Sequence, residues 1–169
     1  MNINHFISLV IRSLESINEQ YRQPYENRLY ERILCYEFYH QLRMRVDKLN
    51  WPFILHGELD KRYRNIKRIP DFVFHVPRSE KNFAAIEFKS TRAGIRWIKE
   101  DLKKLREFTH GELNYKIGIL IVFGKKNSLK RLQQKLNNEP YDDKLLIIFF
   151  DVEKGKCNIL KLNAYTKNQ

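Results

Sequence analysis

Apolar and polar positions alternate in two distinct rhythms along the chain, and the change from one to the other divides it. Residues 2–20 place Phe6, Leu9, Val10, Leu14 and Ile17 at helical spacing, which predicts an amphipathic helix. Gln23-Pro24 breaks it. Residues 25–48 predict a second, longer helix. Leu34, Phe38, Leu42 and Val46 form its stripe, which Leu29, Ile33 and Tyr36 widen, and Trp51-Pro52 ends it.

Beyond Pro52 the period shortens. Residues 53–56, 71–76 and 83–89 read as strands rich in β formers, with Pro70 before the second and Pro77 after it. Residues 95–109 return to helical spacing through Ile95, Ile98, Leu102 and Leu105. The unbroken apolar runs at 117–123 and 145–150 suit strands covered on both faces. A helix over 127–137 separates them, and residues 157–162 predict a weaker last strand. A strand meander followed by strand–helix–strand crossovers implies an α/β fold with a mixed central β-sheet flanked by helices on both faces. No repeat, low-complexity tract or linker interrupts it, so residues 1–169 read as one domain.

Charge narrows the partners. The chain carries 32 Lys and Arg against 20 Asp and Glu, for a net charge of +12. Such an excess suits a polyanion, because each cation set against a phosphate releases a condensed counterion. Nucleic acid is the expected partner. A scaffold whose basic face meets an acidic protein is the competing reading. The apolar stretch Phe6–Ile11 is too short for a signal peptide or a membrane span, so no membrane is expected and the cytoplasm is the expected location. Cys35 and Cys157 lack partners at ligand spacing, which argues against a zinc cluster or a disulfide framework.

Candidate chemistry centres on Pro70-Asp71 and Glu87-Phe88-Lys89. Side chains alternate along a strand, so Glu87 and Lys89 share one face while Ile86 and Phe88 enter the opposite, apolar layer. A hairpin through residues 77–82 would set Asp71 beside Glu87. Two adjacent carboxylates suit a hard divalent cation such as Mg²⁺ or Mn²⁺, and an adjacent ammonium can orient water or offset phosphoryl charge. An ordinary surface ion pair and a turn aspartate are the bland readings of the same residues.

These residues resemble the PD-(D/E)XK nuclease superfamily, which includes restriction endonucleases, repair nucleases and junction resolvases. The resemblance implies a restriction-endonuclease-like core of helix, three strands, helix and strand. Here that is residues 25–123, with an extra N-terminal helix at 1–22 and a C-terminal helix and strands at 124–169. It implies a metal-dependent endonuclease, with Asp71 and Glu87 as metal ligands and Lys89 acting on the attacking water, and it favours DNA as the substrate. The family often adds an acidic residue from the preceding helix. Glu31 is favoured over Glu26 because Leu34, Phe38 and Leu42 follow it on one helical face, and Glu37 is the weaker third choice. A non-catalytic binding module that keeps the fold is the alternative. A two-fold homodimer would suit cuts on both strands.

Several residues could hold the nucleic acid: Lys61, Arg62, Arg64, Lys67 and Arg68 ahead of Asp71, and Ser90, Thr91 and Arg92 directly after Lys89. Arg96, Lys99, Lys103, Lys104 and Arg106 give the following helix a basic character. Tyr63 and Trp97 could stack on bases, though core or rim packing is favoured for both. His56, His75 and His110 are isolated in sequence, and His75 shares the parity of Asp71.

Overall fold

Phe38, fully buried on the second long helix, touches the side chains of two neighbouring strands, and that contact explains why the helix lies where it does. In the computed structural model, which describes residues 2–24, 31–57 and 69–160, helix α3 (Glu31–Val46) buries Leu34, Phe38, Leu42 and Val46. The Phe38 ring lies 5.8 Å from Phe72 and 4.9 Å from Phe88, centroid to centroid. Ile33 and Tyr36, expected to widen the buried stripe, are exposed instead. Cys35 and Tyr39 take the flanking places against the core, with the Tyr39 ring stacked 5.8 Å from Phe72, so Ile33 and Tyr36 fall outside it. Phe38→Ala is expected to cost about 3–5 kcal/mol through the cavity it leaves. A lowered urea midpoint with an unchanged slope would report that loss, whereas an unmoved midpoint would mean that the ring does not hold α3 in place.

The N-terminal segment is two helices rather than the single one expected over 2–20. Helix α1 (Ile3–Glu15) starts at Asn2, whose side chain accepts from Asn4 N at 2.8 Å. It stops at Ser16, and α2 (Glu19–Arg22) restarts at Asn18, whose side chain accepts from Gln20 N at 3.1 Å. A second capping asparagine offers the backbone a local partner, and the chain turns there. Arg22 then donates to the carbonyl of Val152 at 2.7 Å.

Six strands form one sheet in chain order: β1 (Ile54–Gly57), β2 (Phe72–His75), β3 (Asn82–Ser90), β4 (Ile117–Gly124), β5 (Leu145–Asp151) and β6 (Lys156–Leu160). The first three are antiparallel neighbours, β3–β4–β5 are parallel, and β6 returns antiparallel. The mixed sheet is therefore as expected, and strand limits differ from expectation by a residue or two. Helix α4 (Ile95–His110) carries the β3–β4 crossover, and α5 (Asn127–Leu136) carries the β4–β5 crossover. From α3 to β4 the order is helix, three strands, helix, strand.

Strand parity sorts the core into two layers. Phe72, Phe74, Ala84, Ile86 and Phe88 join α1 and α3 on one side. Val73 and Ala85 join α4 and α5 on the other. The runs in β4 and β5 feed both layers, which is why they lack polar positions. Among the described residues, no helix is long and apolar enough to cross a membrane.

Candidate active site

The β2–β3 hairpin sets the geometry. Phe72 pairs with Ile86, so the preceding Asp71 stands beside the following Glu87. Odd-numbered positions of β3 face α4, and Glu87 and Lys89 therefore point under that helix. Glu87 is only 1% exposed. Lys104 Nζ on α4 lies 2.7 Å from Glu87 Oε1, and Lys89 Nζ lies 3.1 Å from Asp101 Oδ2 on the same helix. Strand and helix thus exchange charges in complementary order, Glu87 and Lys89 against Lys104 and Asp101. Both acid oxygens are fully buried against these ammonium groups.

Asp71 and Glu31 are held by the backbone of β3. Phe88 N donates to Asp71 Oδ2 at 2.7 Å, and Ser90 N donates to Glu31 Oε2 at 3.1 Å. Glu31 sits in the first turn of α3 and reaches the sheet's end from the opposite layer. Glu37 instead accepts from Gln41 on its own helix at 2.8 Å. Glu26 lies outside the described residues, as do Tyr63, Lys61, Arg62, Arg64, Lys67 and Arg68. A cavity of about 700 Å³ opens beside Asp71, lined also by Glu31, Arg32, Cys35, Tyr36, Tyr39, Gly57 and Phe72.

Burial raises all three of the expected site carboxyls. It pushes Glu87 up to about 8, with the Asp71 charge adding to the effect and Lys104 opposing it. Asp71 is raised by burial against the pull of the Phe88 N–H. Glu31 is raised by burial against Lys89 and the Ser90 N–H. Burial works to lower the Lys89 ammonium, but the charges of Asp101 and Glu31 outweigh it and leave it raised. Lys89 is therefore a cation at neutral pH. The Cys35 thiol is pushed far above its usual range by burial and by the charges of Asp71 and Glu31, so it is no nucleophile.

The arrangement suits a positive charge placed among its acids. Among the described residues, no three or more His, Cys, Asp or Glu side chains gather into a metal-holding group. Mg²⁺ asks for less than that, since it keeps several waters and takes one or two carboxylates. Asp71 and Glu87 supply such a pair, and Lys104 shows that the buried Glu87 oxygen already meets a positive charge. A divalent cation could take the place of the proton that Glu87, pushed up to about 8, retains.

The remaining expected residues scatter. Ser90 caps the short 3₁₀ turn Thr91–Ala93, its hydroxyl accepting from Arg92 N at 3.2 Å. Thr91 is half-buried and Arg92 exposed at the same end of β3. Three of the five basic residues of α4 are engaged in ion pairs: Lys104 with Glu87, Lys99 with Glu139, and Arg106 with Glu139 and Asp142. The basic face expected of α4 is thus reduced to Arg96 and Lys103, both exposed. Trp97, expected to pack in the core or at its rim, is 58% exposed, with the Arg96 guanidinium 5.8 Å from its ring. The three histidines are not isolated in space: His56 Nδ1 lies 2.9 Å from His75 Nε2, and His110 meets Asp142 at 3.1 Å.

Asp101 is the residue that sequence reasoning missed, and Lys104, expected on a basic helix face, is instead paired with Glu87. One signal was available, since Asp101 lies beside the apolar stripe Ile98, Leu102 and Leu105, where a lone acid must find a partner. Lys104→Met is expected to destabilise the protein by only about 0.5 kcal/mol through charge at pH 8, because Glu87, half ionised there, takes up a proton when it loses its counter-charge. The loss should shrink at pH 5, where Glu87 is protonated in either protein. Urea unfolding at the two pH values checks this, and equal losses would assign Lys104 to packing rather than charge.

No family model matches the chain, and no curated protein matches it in sequence.

Proposed function

We propose that this protein is a metal-dependent nuclease that hydrolyses phosphodiester bonds in nucleic acid, with DNA the favoured substrate. One observation carries the reading: Asp71 and Glu87 stand side by side on a hairpin, with Lys89 two residues on and Glu31 converging from α3. The motif's resemblance to the PD-(D/E)XK nucleases and the net charge of +12 support it.

Each residue then has a distinct task. Asp71 and Glu87 would hold Mg²⁺ or Mn²⁺, with Glu31 assisting. When bound, such an ion lowers the pKa of water and offsets charge on a phosphoryl group. The Phe88 and Ser90 N–H groups fix the carboxylates of Asp71 and Glu31, so neither must reorganise as charge develops. Lys89 is charged at neutral pH, which suits it to orienting water or stabilising the pentavalent phosphorus rather than taking a proton. Asp101 acts through Lys89 and is a positioning residue.

A binding module without catalysis draws on a different observation. Lys104 places an ammonium against Glu87, where the cation would otherwise compensate the charge. Plasmid, single-stranded and branched DNA incubated with Mg²⁺ or Mn²⁺ separate the two readings. Metal-dependent cuts that a Glu87→Ala variant lacks support the nuclease. Binding without cuts favours the module. A basic scaffold for an acidic protein would bind no DNA with the steep salt dependence of counterion release.

A further inference from the structure

Among the described residues, a further depression lies across the N-terminal end of α4 from the acidic cluster. Its volume is about 410 Å³, and Thr91, Arg92, Ser128, Arg131 and Lys135 line it together with apolar side chains. Three of these side chains are cationic, two carry hydroxyls, and no carboxylate is among them. Arg131 and Lys135 lie four residues apart on α5, hence on one face of it. Both are exposed, and neither makes an ion pair among the described residues. They differ in this from Lys99, Lys104 and Arg106 of α4, whose charges are spent on acids of this chain.

The strand end beside the depression is closely packed. Gly124 ends β4, and a Cβ there would strike the Thr91 hydroxyl and come within 2.9 Å of Ser128 Oγ. Only glycine lets side chains from the β3–α4 turn and from α5 converge over the strand end. The place is also the carboxyl end of the parallel strands β3 and β4, where open α/β sheets form ligand crevices. Thr91 and Arg92 follow Lys89 by two and three residues. A strand held at the acidic cluster therefore needs only a few nucleotides to reach the depression.

We infer that this cleft between α5 and the start of α4 binds backbone phosphates of the same nucleic-acid strand, away from the bond to be cut. The inference rests on the nucleic-acid reading of the Asp71–Glu87–Lys89 site, and it adds α5 to the surface that holds the substrate. Arg131 and Lys135, which meet no acid among the described residues, recognise phosphodiester oxygens rather than bases, so the contact carries no sequence preference.

The test is a salt titration. A fluorescein-labelled twenty-nucleotide oligothymidylate is bound in EDTA, and anisotropy gives the affinity across salt concentrations. Wild type is compared with Arg131→Ala/Lys135→Ala and with a control of equal charge change, Lys48→Ala/Lys81→Ala. The control residues are exposed and lie at the far ends of α3 and β3 from the acidic cluster. Loss of two phosphate contacts should lower the slope of log affinity against log salt by about 1.4 and weaken binding roughly tenfold at moderate salt. The control should change the slope by less than half as much.

A slope equal to that of wild type, or a change matched by the control, overturns the inference, and so does a wild-type protein that fails to bind the oligonucleotide. The two readings fail separately. A reduced slope in a protein that cuts no DNA with Mg²⁺ or Mn²⁺ keeps the cleft and removes the nuclease. Metal-dependent cutting with an unaltered slope keeps the nuclease and removes the cleft.

Discussion

Glu87→Gln should fold, bind nucleic acid as tightly as wild type or more so, and lose metal-dependent cleavage by at least about 10²–10³-fold in kcat. The amide keeps the size of the carboxyl and removes only its charge and one oxygen. Glu87 is buried beside Asp71, with Lys104 Nζ 2.7 Å from its Oε1. A neutral amide there gives a divalent cation one charged ligand in place of two. Affinity without metal should hold because Glu87, titrating at about 8, is largely neutral near pH 7, as the amide is. Single-turnover cleavage with Mn²⁺, together with oligonucleotide binding in EDTA, separates the two quantities. Equal losses of binding and cleavage would point to a disturbed fold instead. Undiminished cleavage would remove Glu87 from the site and the proposed mechanism with it.

The second large effect is on stability. The Glu87 carboxyl titrates near 4.5 in an unfolded chain and at about 8 in the folded protein. Between those values the folded state keeps a proton that the unfolded state releases. Stability from this group is therefore fully present below about pH 4.5 and is lost as pH rises to 8. At about 1.4 kcal/mol per unit, the gap sets a ceiling of roughly 5 kcal/mol. Asp71 and Glu31 are shifted in the same direction and add to the trend.

Wild type without divalent cation should therefore lose Tm between pH 5 and pH 8 relative to Glu87→Gln. Taking the difference between the two proteins cancels the background repulsion of a +12 chain. Mg²⁺ should raise the wild-type Tm at pH 8 by mass action, do little at pH 5 where protons compete, and do little to the variant at either pH. Parallel Tm profiles for the two proteins across this range would mean that the buried carboxyl is compensated in some other way. A response to Mg²⁺ that Glu87→Gln retains would place the ion elsewhere.

Much of the site was legible because its residues lie close together in sequence. The spacing of Glu87 and Lys89 fixes their common face once the segment is a strand. The apolar Ile86 and Phe88 identify it as one with a covered opposite side. Glu31 was legible to a lesser degree. Its helical face pointed toward the sheet, but the hydrogen bond from Ser90 N was not foreseeable. The two-helix N-terminus was misread because Ile17 extends the apolar stripe across the break, while the capping asparagine at Asn18 gave a weaker signal of it.

Periodicity follows from backbone dihedrals, which are local, so the chain by itself determined the helices, the strands, the two-layer core and the pairing of faces along β3. It also determined the excess of positive charge. Which cations remain available for a ligand was decided only by tertiary structure. Lys104 and Lys99 look like Arg131 and Lys135 in sequence, yet the first two meet acids brought from other elements and the latter two meet none among the described residues. The same holds for Asp101, whose partner stands on a different strand. Such pairings depend on how far a helix slides and rotates over a sheet. That is set by the packing of Ile98, Leu102 and Leu105 against the strands, a sum over many distant contacts that no short spacing records.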